Sequence, residues 1–157
     1  MPVIADLTWW WEEITQKGKN RNKGHIRDMA VGGGDGVQYN VMGVAGEYAV
    51  ALDRCYELSQ IRDDQPRGDE GIDLVAIDGS TIQVKTNKGF GFDNNLSREP
   101  QAKADYVIGC RFEVQRIKIA AWATRDQWNA AINEHHTGGF CVNYGDINIY
   151  PDTLLSR

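Results

Sequence analysis

Two β-rich runs, 72–77 (IDLVAI) and 81–86 (TIQVKT), flank the dipeptide Asp78-Gly79. Val, Ile and Thr suit a pleated, half-buried surface, and Asp-Gly between such runs is a strong hairpin signal. The middle of the chain is therefore committed to a sheet. What flanks it decides the fold class. Residues 44–59 (VAGEYAVALDRCYELS) repeat apolar residues at helical spacing and predict a helix with a wide buried face. Residues 104–114 and 117–123 predict two further strands. Thr124 with Gln127 forms a capping box that opens a helix over TRDQWNAAINEHH, with Gly138 as its stop. FCVNY and INIY are short closing strands. The expectation is an α/β fold with a mixed sheet flanked by helices.

The hairpin also carries side chains that a Val/Ile-rich sheet does not need. Gln83 and Lys85 are two apart on one strand and so share a face, and Asp73 stands across the hairpin from them. A polar face in water would account for Gln83 and Lys85, but not for the opposed acid. A hard divalent cation accounts for all three. Asp73 would ligate it, helped by the Gln83 side-chain oxygen and the Val84 carbonyl, with Lys85 beside an attacking water. A second acid is wanted because Gln83 is neutral. Glu47 is the candidate, in the first turn of the 44–59 helix next to Gly46, whose small size lets the helix approach the sheet. The bland alternative for Glu47 is ordinary acid enrichment at a helix start. Turn length tests the arrangement. A strict two-residue turn would set Asp73 opposite Val84, with its carboxylate on the wrong face. A three-residue loop or a bulge sets it opposite Gln83 or Lys85.

The net charge of −5 argues at first against a nucleic-acid partner. Divided along the chain, it is −3 over residues 1–16, +5 over 17–27 (KGKNRNKGHIR) and −7 over the rest. Lys17, Lys19, Arg21, Lys23 and Arg27, separated by Gly and Asn, read as a mobile arm or exposed loop able to track phosphates. Residues 3–16 predict a helix bearing Trp9, Trp10 and Trp11, for core or oligomer contact rather than base stacking. The glycines at 32–36 predict a flexible connector, since no strand and no Gly-Lys-Ser/Thr marks a phosphate loop. Residues 87–103 are polar, Gly/Asn-rich and long for a connection. Lys88, Arg98 and Lys103, in or beside this loop, are expected to touch phosphates. Cys55, Cys110 and Cys141 are odd in number and apolar in context, expected to be buried thiols in a reducing cytosol. No apolar run approaches the roughly 20 residues of a membrane span, and the N-terminus does not read as a signal peptide.

The order helix-Glu (GEYAVAL), G-x-D strand (RGDEGIDLVAI) and Q-x-K strand (TIQVKT) resembles the PD-(D/E)xK nucleases. The variant is the one in which Gln replaces the second acid, similar to Mrr-type restriction enzymes and to homing and phage members. ADYVIGC, a Trp-containing strand and TRDQW are also similar to small phage-encoded members. Ile72 stands where the family has Pro. The resemblance implies a restriction endonuclease-like αβββαβ core over about residues 40–145. It implies Mg²⁺-dependent (or Mn²⁺-dependent) DNA cleavage, with Glu47, Asp73 and Gln83 on the metal and Lys85 on the water. The chain is expected to be a single nuclease domain over 1–157. Residues 1–39 would be helix, arm and connector, 40–145 the catalytic core, and 146–157 a closing strand and tail. Cutting both strands needs two sites, so a homodimer or higher homo-oligomer is expected, in the cytoplasm and without membrane. The alternatives are a DNA-binding module on the same fold that lost the chemistry, and an assembly protein using the Trp helix. Convergence of Glu47, Asp73 and Lys85 on one cleft is what both nuclease-derived readings require and the assembly protein does not.

Overall fold

The runs around Asp78-Gly79 pair, and the sheet they start is mixed. The computed structural model describes residues 3–24, 36–61, 63, 71–88, 94–97, 99–113, 115–136 and 138–150. Strand β1 spans Val3–Asp6, followed by helices α1 (Trp11–Gly24) and α2 (Gly36–Arg54). Strands β2 (Leu74–Val75), β3 (Thr81–Lys88), β4 (Asn94–Ser97), β5 (Tyr106–Glu113) and β6 (Arg116–Thr124) come next. Helix α3 (Arg125–Ala131) and strands β7 (Asn133–Glu134), β8 (Phe140–Asn143) and β9 (Asn148–Ile149) complete the order. The main sheet runs β1-β6-β5-β3-β2, with β9 also on β6. Only β3 and β5 among these neighbours are parallel. A second sheet, β4-β8-β7, is antiparallel. The α/β class and the mixed sheet flanked by helices are as expected. The chain order is richer than αβββαβ: β1, β6 and the second sheet are additions, and the parallel step from β3 to β5 passes through β4.

Strand alternation divides the core. Ile82 and Val84 of β3 join Ile108 and Cys110 of β5, and Val44, Ala45, Tyr48 and Ala49 of α2, in the larger cluster. Val107 of β5 and Ala123 of β6 face the other way and pack with Ala102, Trp128 of α3 and Val142 of β8 in a smaller one. The α3 capping box forms as expected: Thr124 Oγ1 accepts from the Gln127 N–H, and Gln127 Oε1 accepts from the Thr124 N–H. No helix among the described residues is long and apolar enough to cross a membrane.

Several expectations are corrected. Residues 3–16 are not one helix. Val3–Asp6 pairs with β6, and Asp6 Oδ1 then accepts from both the N–H and the hydroxyl of Thr8, turning the chain through Thr8–Trp10 into α1. The tryptophans separate. Trp9 is 87% exposed, Trp10 packs on Tyr48 and Trp11 on Phe112. Residues 17–24 are not a loop but the second half of α1. Their Gly and Asn content is poor for a helix, so tertiary contacts supply the stability. Lys17 Nζ donates to the Ile61 carbonyl, Asn20 donates to Asp63, and Arg21 reaches Glu47. Arg27 lies outside the described residues, as do the connector residues 31–35. Gly36 already belongs to α2, which starts earlier and ends earlier than the periodicity predicts. It stops where Cys55 adopts a φ of 58°. The 87–103 segment contains β4, and α3 stops at Ala131, so His135 and His136 lie beyond the helix with their rings tilted against each other, centroids 4.3 Å apart. Cys110 is buried and burial pushes its thiol up, but Cys55 is exposed and Cys141 half-buried.

Gly18 sets α1 directly against the α2 backbone: a Cβ there would lie 2.7 Å from the Val41 Cα. Gly43 in α2 faces open space. Gly18→Ala should therefore destabilise by about 1–3 kcal/mol through overpacking against backbone that cannot yield. Gly43→Ala should stabilise by about 0.5–1 kcal/mol. Urea unfolding midpoints check both, and equal effects would contradict this packing.

Candidate active site

Strand β3 and the hairpin position the candidate residues. Val75 pairs with Thr81 and Leu74 with Ile82. The Ala76 N–H donates to the Ser80 carbonyl and the Gly79 N–H to the Ala76 carbonyl, with Gly79 at φ 88°. The connection is thus a three-residue loop over Ile77–Gly79, the odd length that the site requires, and the left-handed Gly79 supplies its turn. Continuing the register by one residue sets Asp73 opposite Gln83. The strand pairing changes there. The Asp73 N–H donates to the Ile82 carbonyl at 2.8 Å, and its Oδ2 accepts from the Val84 N–H at 2.6 Å. Asp73 thereby places a carboxylate on the β2–β3 seam, against the backbone between Gln83 and Lys85. Gly71, at φ 81°, leaves room for the Gln83 amide: a Cβ there would stand 3.4 Å from Gln83 Nε2.

Gln83 and Lys85 are half-buried and alternate away from Ile82 and Val84, so they stand on the face of the smaller core. In the parallel register Gln83 lies beside Val107 and Lys85 beside Gly109. The space a side chain on Gly109 would need is filled by the Tyr144 ring, whose hydroxyl donates to the Cys110 carbonyl. This polar face is therefore partly covered rather than simply solvated. Asp105 fixes the start of β3. Its carboxylate accepts from the N–H and hydroxyl of Thr81, and these bonds hold it below the usual carboxylate range.

Glu47 approaches from the other side. Gly46 seats α2 on the side chains of Val84 and Thr86, the close approach expected of it. Glu47 itself is only 4% exposed, and its two oxygens accept from the two terminal nitrogens of Arg21 at 2.8 and 2.7 Å. Such a bidentate fork is a strong, directional pair. Tyr48 stands next to it. Burial pushes its hydroxyl up, with Glu13 adding to the effect and Asp63 and Glu47 contributing less. Asp73 is thus set against the backbone of the strand that carries Gln83 and Lys85, while Glu47, carried by α2, is neutralised by a cation expected on an exposed arm. The sequence carries a signal for this pair only in hindsight: 26 residues separate the two charges, and a loop reading of 17–27 hides the helix that aligns them.

The other expected phosphate contacts are scattered. Lys19 is exposed on α1, Lys88 at the end of β3, and Lys103 is exposed with its carbonyl accepting from Arg125. Lys23 belongs to α1. Arg98 falls outside the described residues. Among the described residues, no three His, Cys, Asp or Glu side chains gather closely enough to hold a metal ion. A hard cation here would rest on Asp73, the Gln83 side-chain oxygen and water, a donor set that suits Mg²⁺, which keeps several waters and few carboxylates.

No model of a known protein family matches the chain, and no curated protein matches it either.

The Arg21–Glu47 pair is a structural element in its own right. Arg21→Met should leave a buried carboxylate uncompensated and cost about 3 kcal/mol, whereas adding Glu47→Leu should return stability to within about 1 kcal/mol of the original. Denaturant unfolding of the single and double variants measures this. Equal losses in both would mean the pair contributes packing and not charge compensation.

Proposed function

We propose that the chain is a Mg²⁺-dependent DNA nuclease of the PD-(D/E)xK kind, hydrolysing phosphodiester bonds at the β2–β3 seam. The observation that carries this reading is the Asp73 carboxylate bonded to the Val84 N–H, between Gln83 and Lys85. Asp73 and Gln83 would hold the cation. A bound divalent cation supplies Lewis acidity toward the phosphate and lowers the pKa of water. Lys85 orients the attacking water, favours its hydroxide form and offsets charge on the phosphate. The Val84 N–H keeps the Asp73 carboxylate in place. Lys19, Lys88 and Lys103 are the exposed cations that would meet the DNA backbone. With one site per chain, cutting both strands calls for a homodimer.

The Arg21–Glu47 fork favours a second reading. A second acid already neutralised by an internal cation suits a fold that binds DNA and no longer cuts it.

Incubation of supercoiled plasmid with the protein and Mg²⁺ or Mn²⁺ separates the readings. The nuclease reading expects nicked or linear product, and a loss of at least about 100-fold in rate for Lys85→Ala and for Asp73→Asn. Asp73→Asn keeps an acceptor for the Val84 N–H, so its loss should not come from unfolding. DNA retention without cleavage would establish the second reading. Cleavage that survives both substitutions would place the activity elsewhere.

A further inference from the structure

The two edges of the main sheet are finished differently. On the β2 edge, the Val75 N–H donates to the Gln60 side-chain oxygen at 2.6 Å, and the Gln60 amide nitrogen donates to the Val75 carbonyl at 3.1 Å. One side-chain amide thus satisfies the donor and acceptor that a further strand would use, and the edge is blocked there. β1 lies on the opposite edge, and among the described residues no strand pairs with its outer side. Its pairing with β6 fixes which groups point outward. The Leu7 N–H donates to the Gln115 carbonyl at 2.8 Å, one step beyond the Asp6–Arg116 pair. Alternation then turns the peptide groups of Val3 and Ala5 toward β6, and those of Ile4 and Asp6 away from it. The Ile4 side chain is 53% exposed, on the face opposite Val3 and Ala5, which pack on the larger core.

We infer that the outer edge of β1 binds a second copy of this chain, strand to strand and antiparallel, about a two-fold axis at Ala5. A strand added to an edge bonds through its backbone, and a two-fold axis requires one patch to complement itself. β1 meets that requirement. With the axis at Ala5, the Ile4 N–H donates to the carbonyl of the partner's Asp6, and the N–H of the partner's Asp6 donates to the Ile4 carbonyl. The axis repeats both bonds, so every outward group of Ile4 and Asp6 is satisfied. The charges agree. Lys118 stands across from Ile4, and Arg116 across from Asp6. The row through the seam therefore reads Lys118, Ile4, the partner's Asp6, the partner's Arg116, and no like charges meet. An axis at Ile4 instead would set each Asp6 carbonyl against Pro2, which has no N–H to donate. The seam is short, four residues a side, so the dimer should form and dissociate with concentration. The inference stands whether or not the chain cuts DNA.

Sedimentation of the full chain over about 1 μM to 1 mM should show a monomer–dimer equilibrium. Ile4→Pro removes only an outward N–H, at a place where an edge strand accepts Pro. It should weaken the dimer at least about tenfold, because two bonds are lost, one per copy. Circular dichroism checks that the variant is folded. A cysteine pair tests the register without removing a bond. Ala5 and its symmetry mate would form a non-hydrogen-bonded pair about 4.5 Å apart at Cα, within disulfide reach. In a Cys55→Ser, Cys141→Ser background, Ala5→Cys should cross-link into a covalent dimer under oxidised glutathione. Ile4→Cys should not, since the two Cα atoms then lie beyond the roughly 7 Å limit. Amide exchange of Ile4 and Asp6 should be fast in dilute protein and slowed in the dimer. A monomer at every concentration overturns the inference. So does a dimer that cross-links through Ile4→Cys and not Ala5→Cys, or one in which a folded Ile4→Pro associates unchanged. Slow exchange of both amides already in the monomer overturns it too, because another segment of the chain then occupies the edge.

Discussion

Period-two alternation along β3 distributes nearly everything else in the molecule. One set of side chains, Ile82 and Val84, receives α2 and belongs to the larger core. The other set, Gln83 and Lys85, stands beside Val107 and Gly109 on the side of α3 and β8. The strand is paired on both edges, antiparallel to β2 and parallel to β5. It cannot slip by one residue without burying Gln83 and Lys85 under α2 and expelling Ile82 and Val84. Two polar anchors reinforce that register, one at the start of the strand and one in its interior: Asp105 on the Thr81 N–H, and Asp73 on the Val84 N–H. The first is a turn-like tie between neighbouring strands. The second is unusual, because a side chain replaces the backbone acceptor that a longer β2 would have offered. A two-residue β2 thus creates the opening into which a carboxylate fits.

The charge distribution follows from the same packing. The cation-rich segment is drawn onto the body by three inward contacts, and the body at that point is acidic: Asp63 and Glu47 receive Asn20 and Arg21, with Glu13 and Tyr48 close by. Its cations therefore serve in part as internal counterions. That removes them from the exposed surface and reduces the long-range attraction to a polyanion that the +5 run suggests. Among the described residues of that segment Lys19 remains exposed, as do Lys88 and Lys103 on other elements. These are single charges, each of modest value in salt.

How much was legible in the sequence depends on the range of the interactions. Hairpin, strands β5 and β6, and the Thr124 capping box are local, and each is encoded within a few residues. The odd-length turn was deducible because Asp73 and Gln83 had to share a face, and Gly79 is the residue that a three-residue loop needs. Val3–Asp6 was misread as helix because its pairing partner, β6, lies more than 100 residues away. Residues 17–24 were misread as loop because Gly and Asn dominate local propensity, whereas the helix is held by Val41, Ile61, Asp63 and Glu47. The buried Arg54 is of the same kind. It donates to the Tyr56 and Tyr150 hydroxyls, and Tyr150 donates to Asp53, tying the end of α2 to the last described residue. No local pattern marks such a network.

The same distinction of range applies to the candidate site. Asp73, Gln83 and Lys85 are a local set, fixed by one hairpin, and their juxtaposition follows from register alone. Glu47 enters by tertiary packing, and whichever cation it meets is decided by what else packs there. In this structure that cation is Arg21 of α1. Asp73, Gln83 and Lys85 thus depend on one hairpin, whereas Glu47 depends on a second helix for its counterion. The physical weight of α1 therefore falls on Glu47 as much as on the fold: Gly18 sets its distance from α2, and Arg21 sets the charge that the carboxylate sees.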